Sequence, residues 1–202
     1  MYTLYYMQGA CSLATQVVLH ELNQTVKIID KNNIDDFNAI NPVGTVPVLV
    51  DGINNLTEGA AIILHLLKKH KNDLFPNDLG QQQKAIEDIM FANATMHPAY
   101  SKLFFIAKNI SDESAKVEAF QAAAKNINSL WQVVERKLTI RAQLGSDGIS
   151  AADIMLGVYA TWGQYFPVEL IFGERSSKML TEVQSMPSFK KSVQAEQTES
   201  NK

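Results

Sequence analysis

The stretch LYYMQGACSLA, residues 4–14, passes from one kind of local pattern to another. Its first half is β-rich by propensity, and Gly9 supplies a turn. The chain's single cysteine, Cys11, then precedes a helical pattern in which Leu13, Val17, Val18 and Leu22 share one face. A strand that turns into a helix in so few residues needs a neighbouring strand, and "TVKIID" (25–30) offers one. "NIDDFNAIN" (33–41) offers only a short, weak helix. "VPVLV" (46–50) reads as a buried strand closed by the Asp51-Gly52 turn, and Leu56 begins a brief return strand. "TEGAAIILHLLKKH" (57–70) follows as a helix with Thr57 as its cap and basic residues in its last turn. The order βαβ, short crossover, ββα requires one mixed sheet with helices against it, an α/β domain over residues 1–75.

Beyond Gln81 the pattern changes to helix alone. "QQQKAIEDIMFANATMHPAYSKLFFIAKNI" (81–110) has helical periodicity, with Pro98 predicting a kink, and "DESAKVEAFQAAAKNINSLWQVVERKL" (112–138) is a second long helix. In "SAADIMLGVYATW" (150–162), Ser150 and Asp153 form a capping box and Ile149 and Ile154 stand at the staple positions, which marks the start of a buried helix. The reading is an all-helical domain over 81–202, a linker at 76–80 within the stretch FPNDLG (75–80), and a polar tail, SVQAEQTESNK, that frays.

Composition narrows the function classes. The 202 residues carry a net charge of −3, with 46% hydrophobic and 19% charged residues, as an ordinary globular chain does. Such a balance gives no electrostatic drive toward nucleic acid or an anionic membrane. A single cysteine excludes an intrachain disulfide framework and a cysteine-rich metal site, and it fits a reducing compartment. The longest apolar run, "GAAIILHLL" (59–67), is too short to cross a bilayer. No signal peptide is read at the N-terminus, and the expectation is a cytoplasmic protein.

Several residues allow a chemical reading beside a structural one. Cys11 is either a small buried hydrophobe or a thiol at a helix N-terminus, where amides and dipole lower its pKa. Pro47 is either an ordinary trans proline at a strand's first residue or the second residue of a cis bond. Glu58 and Gly59 either complement the helix dipole or hold a ligand, the amides taking a carboxylate and Glu58 an ammonium group. His97 sits beside Pro98 at the expected irregularity. His20, His65 and His70 read as surface or satisfied core residues, and Tyr6 and Trp162 as core or wall. No P-loop, GxGxxG or GxSxG motif is present.

Four passages in order, LYYMQGACSLA (4–14), NPVGTVPVLV (41–50), LTEGAAI (56–62) and SAADIMLGVYATW (150–162), resemble the glutathione S-transferases, most closely their bacterial beta class. The resemblance implies a thioredoxin-like N-terminal domain with an all-helical C-terminal domain, glutathione as co-substrate, no metal, and a homodimer. It implies a cis Val46–Pro47 bond, with the Val46 backbone turned outward to pair with the cysteinyl unit of glutathione. It further implies that Cys11 contacts the glutathione sulfur, that Glu58 and Gly59 hold the γ-glutamyl end, that His97 stands near the thiol, and that Trp162, with Tyr6, borders an electrophile pocket. The implied activity is conjugation of glutathione to small hydrophobic electrophiles in detoxification, with thiol–disulfide exchange through Cys11 as a further possibility. The rival is a non-catalytic, transferase-like binding or regulatory protein. The shortened 31–40 segment leaves Lys31 as the nearest counterpart of a ligand-gripping lysine, and Met90 stands where relatives carry an asparagine. A maleylacetoacetate-type isomerase fits less well, because its serine-rich turn is absent.

Overall fold

The computed structural model describes residues 1–141, 143–144 and 148–199. They fall into two compact units, one made of Met1–Phe75 joined by the chain from Gln184 on, the other of Pro76–Val183.

The first unit is built on a four-stranded sheet of order β2-β1-β3-β4, with β1 Tyr2–Tyr6, β2 Val26–Asp30, β3 Val48–Asp51 and β4 Asn54–Leu56. β1 runs parallel to β2, with Leu4 opposite Ile28, and antiparallel to β3, with Leu4 opposite Leu49. β3 and β4 form the antiparallel edge. Helix α1, Ser12–Glu21, is buried from Ser12 through Leu19, and α2 is Gly59–Lys69. The inward residues Leu4, Val17, Val18, Leu49, Ile62 and Leu66 have essentially no exposure, so this sheet-and-helix layer forms a core of its own.

Three local expectations are corrected. The weak helix over 33–41 is instead two single 3₁₀ turns, Lys31–Asn33 and Phe37–Ala39, because Asp30 and Asp36 each accept an amide hydrogen bond that tightens the chain locally. Leu56 ends β4 rather than beginning it. Glu58, not Thr57, is the residue that caps α2.

The tail is also corrected. Residues 192–199 belong to α8, Pro187–Glu199, while 200–202 lie outside the described residues. The tail does not fray because its polar residues are used: Ser192 and Glu196 are buried, and α8 packs on α1 and β2 of the first unit.

The second unit contains α3 Leu79–Phe91, α4 His97–Asn109, α5 Glu113–Lys137, α6 Ala151–Ala160 and most of α7 Glu174–Ser185. Asp78 caps α3 and Asp112 caps α5. α3 and α4 are joined by a π-helical turn, Ala92–Met96, where the His97 N–H reaches the Ala92 carbonyl. Pro98 follows at once and has no N–H to return to Ala94, which accounts for the break. At α6 the capping box forms as the sequence predicts. The buried Asp153 carboxylate accepts the Ser150 N–H at 2.8 Å, the Ser150 hydroxyl at 2.7 Å and the Leu144 N–H at 3.0 Å.

Candidate active site

The turn after β1 is built for glycine. The Ala10 N–H closes it on the Met7 carbonyl at 3.0 Å, and Gly9 takes φ +69°, a conformation that costs side-chain-bearing residues. Cys11 follows at the N-cap position of α1, already in helical conformation and partly exposed. Its thiol donates to the Val46 carbonyl at 3.4 Å. Burial pushes the Cys11 thiol up to about 11, against the opposing pull of its own and the Ser12 amides, and the nearby Glu58 charge adds to the rise. The expected lowering of this thiol is therefore corrected. The helix amides are present, but desolvation outweighs them, and Cys11 is a neutral S–H donor at pH 7.

The Val46–Pro47 peptide bond is cis, and β3 begins one residue later, so the missing proline donor costs the sheet nothing. Asn41, buried, braces the preceding loop by donating to the Thr45 carbonyl at 2.8 Å and accepting from the Val43 N–H at 3.2 Å. Lys31 ties the same loop down through the Gly44 carbonyl at 3.0 Å. Among the described residues the Val46 N–H has no hydrogen-bond partner. Glu58 has φ +65°, sparsely populated for a residue with a side chain, and heads α2 directly before Gly59. Backbone outliers of this kind cluster where ligands are held. The first unit thus gathers the Cys11 thiol, the Val46 carbonyl and the Glu58 charge at one place, with Pro47 and Gly59 shaping the backbone beside them.

Tyr6 does not belong to that group. It has no exposed surface, and its hydroxyl points to the Glu196 carbonyl at 3.5 Å, so it is a core residue and not a pocket wall. Sequence reasoning also missed Glu196 itself. From α8, this buried carboxylate accepts the Gly9 N–H at 2.9 Å. Nothing local in the sequence marks a partner so many positions away.

His97 and Trp162 belong to the second unit. The Ser101 hydroxyl donates to the His97 carbonyl at 2.9 Å, so its oxygen can only accept from His97 Nδ1 at 3.3 Å. Nδ1 therefore carries the proton and Nε2 keeps a lone pair. Burial lowers the His97 pKa, and the ring is neutral at pH 7. Trp162 is only 4% exposed, walled by His97 at 5.3 Å, Tyr159 at 4.8 Å and Phe104 at 5.7 Å between ring centres. Phe104, 45% exposed, is the most exposed ring of this cluster, and it stacks edge-on with the partly exposed Phe166 at 4.7 Å. His97, Tyr100, Ser101 and Phe104 stand at i, i+3, i+4 and i+7, so this face of α4 was readable from spacing alone.

The other histidines have partners of their own: His20 has the Ser192 hydroxyl and the Ser188 backbone, His65 has Asp51 and His70 has Tyr2. Among the described residues no cluster of three histidine, cysteine or acidic side chains is placed to hold a metal, and no helix is long and apolar enough to cross a membrane.

A parallel β1–β2 pair, an antiparallel β3–β4 edge and a cis proline beside a helix-start thiol define a thioredoxin-like domain. Residues 9–73 match the model of the glutathione S-transferase N-terminal domain. The chain is 28% identical over 173 residues to glutathione S-transferase GST-4.5 of Xanthomonas campestris pv. campestris, covering 83% of this chain and 85% of that protein. It superposes on a glutathione S-transferase from Xylella fastidiosa with TM-score 0.88 at 26% identity, covering 97% and 98% of the two chains. A sphingomonad glutathione S-transferase complexed with glutathione gives TM-score 0.83 at 25% identity, covering 96% and 98%. The chain is thus similar along nearly its whole length to glutathione S-transferases, and its residues 9–73 match the N-terminal domain of that family.

Proposed function

We propose that the protein is a glutathione transferase that joins glutathione to small apolar electrophiles, with Cys11 acting as a hydrogen-bond donor to the glutathione sulfur. The observation that carries this reading is the 3.4 Å contact between the Cys11 thiol and the carbonyl of Val46, the residue before the cis proline. It places a neutral S–H beside a backbone edge whose N–H is unengaged among the described residues. The cysteinyl backbone of glutathione pairs with Val46, its γ-glutamyl end lies at Glu58 and Gly59, and its sulfur meets Cys11. The bound sulfur loses its proton to solvent. The resulting thiolate is stabilised by the Cys11 S–H, a charge-assisted hydrogen bond of the kind that lowers a nucleophile's cost at neutral pH.

With a chloronitrobenzene as electrophile, the thiolate sulfur bonds to the ring carbon and chloride leaves. A thiol held neutral is a poor attacking group for disulfide exchange, so conjugation is favoured over exchange through Cys11. In the second unit, the partly exposed rings of Phe104 and Phe166, backed by the buried Trp162, offer an aromatic surface suited to an apolar electrophile, with the neutral His97 ring packed against Trp162. The family's homodimer is carried as part of this reading.

The test is retention on immobilised glutathione followed by conjugation of a chloronitrobenzene. Wild type is expected to be retained and to turn over. A protein that is retained without turnover is a binding module instead, and one that does neither removes the glutathione reading.

A further inference from the structure

We propose that Glu196 is a positioning residue for the thiol site: from α8, its carboxylate holds the Gly9 N–H and so fixes the turn that sets Cys11 at the head of α1. The inference rests on Cys11 serving thiol chemistry, and it concerns a residue that no motif of the site contains.

The geometry is specific. The Gly9 N–H lies within a turn closed by the Ala10 N–H on the Met7 carbonyl at 3.0 Å and by the Ser12 hydroxyl, 3.4 Å from the Met7 nitrogen and 3.4 Å from its carbonyl oxygen. Glu196 Oε2 at 2.9 Å is the side-chain acceptor for Gly9, and it comes from an element that is otherwise seated on α1. α8 is anchored along its length by a polar seam, with Ser192 bonded to His20 of α1 at 3.0 Å and the Glu196 carbonyl facing the Tyr6 hydroxyl of β1. A carboxylate only 2% exposed is an expensive group to bury, and the Gly9 N–H supplies a hydrogen bond to it. Moving Glu196 moves Gly9, and Cys11 is two residues on.

The carboxyl is pushed up to about 7 by burial, with the Asp30 charge at the end of β2 adding to the rise and the Gly9 hydrogen bond opposing it. Further along the seam α1 contributes His20, whose charged neighbours are Lys191 and Glu21. Deprotonation of Glu196 strengthens its hold on Gly9, so the tightness of the Cys11 turn is coupled to pH near neutrality.

Because Cys11 is the only thiol, iodoacetamide alkylation followed by intact mass reports on it alone, in the ligand-free protein. Wild type, Glu196→Gln and Glu196→Ala are compared across neutral pH. Once the thiol's own ionisation is divided out, wild type is expected to show a step in rate near pH 7. Glu196→Gln keeps an acceptor oxygen and loses the step, while Glu196→Ala frees the turn and alkylates roughly tenfold faster at every pH. Superimposable profiles, or a step that survives in Glu196→Gln, would overturn the proposal. If Glu196→Ala does not fold, Glu196→Gln alone decides. Glutathione retention is measured separately on wild type. Its absence would remove the glutathione reading without touching the alkylation result, whereas retention with superimposable profiles would remove the Glu196 assignment alone.

Discussion

A cysteine at a helix start that stays protonated changes what it is able to do. Cys11 donates a hydrogen bond to the Val46 carbonyl in the ligand-free chain and is available to donate one to an incoming sulfur. On this account Cys11→Ser, which keeps a donor, retains most of the conjugation rate. Cys11→Ala loses roughly ten- to a hundredfold in kcat, the value of one hydrogen bond to a charged group, while still binding glutathione. Steady-state kinetics with the three proteins check this, and an unchanged rate in Cys11→Ala would assign the donor to another group.

Glu196 adds a stability signature of its own. Its folded-state pKa of about 7 lies above the ordinary 4.5, so between those values the folded chain keeps a proton that the unfolded chain releases. Stability therefore falls as pH rises from about 4.5 to about 7 and levels off above. Glu196→Gln is expected to be more stable than wild type at pH 8 by on the order of 3 kcal/mol, with the gap closing below pH 5. Denaturant titrations at both pH values read it directly.

At the level of elements, the start of α6 is the clearest test of how a local signal becomes a tertiary one. Asp153 accepts from Ser150 twice and from Leu144 once, and it has no exposed surface. Asp153→Ala strands several buried donors and is expected to cost about 3 kcal/mol, while Ser150→Ala, which removes the cap and one of the donors to Asp153, costs about 1 kcal/mol. Thermal melts of the two variants check the order, and equal costs would mean that the aspartate only caps.

This element was legible in the sequence because both halves of the box lie within one turn. The break before Pro98 was legible for the same reason, although its π-helical form was not. The 33–41 segment and the α2 cap were misread. Asp30 and Asp36 compete locally for the backbone, and the positive φ of Glu58 is a conformation that its residue type does not signal.

In the whole molecule, what could not be read is what the chain brings together from a distance. The mixed sheet and the helical second half follow from short motifs, whereas the group Cys11, Val46, Pro47, Glu58 and Gly59 follows only from the resemblance that those motifs carry together. The thiol's charge state does not, because burial is a property of the finished fold and outweighs the helix amides. Nor does the return of α8 to the first unit, since its residues read as a polar tail until Ser192 and Glu196 meet α1 and the Gly9 turn. Glutathione, if it binds this unit, stabilises the folded chain by mass action. At about a hundred times its dissociation constant the gain is about 2.7 kcal/mol, visible as a rise in Tm that grows with concentration.

The most direct test of the whole account is a crystal structure of the wild-type protein with glutathione. The account predicts the tripeptide's cysteinyl backbone paired with Val46 and its sulfur within hydrogen-bonding reach of Cys11 Sγ. Glutathione bound elsewhere, or bound with its sulfur turned away from Cys11 and Val46 unpaired, would contradict it.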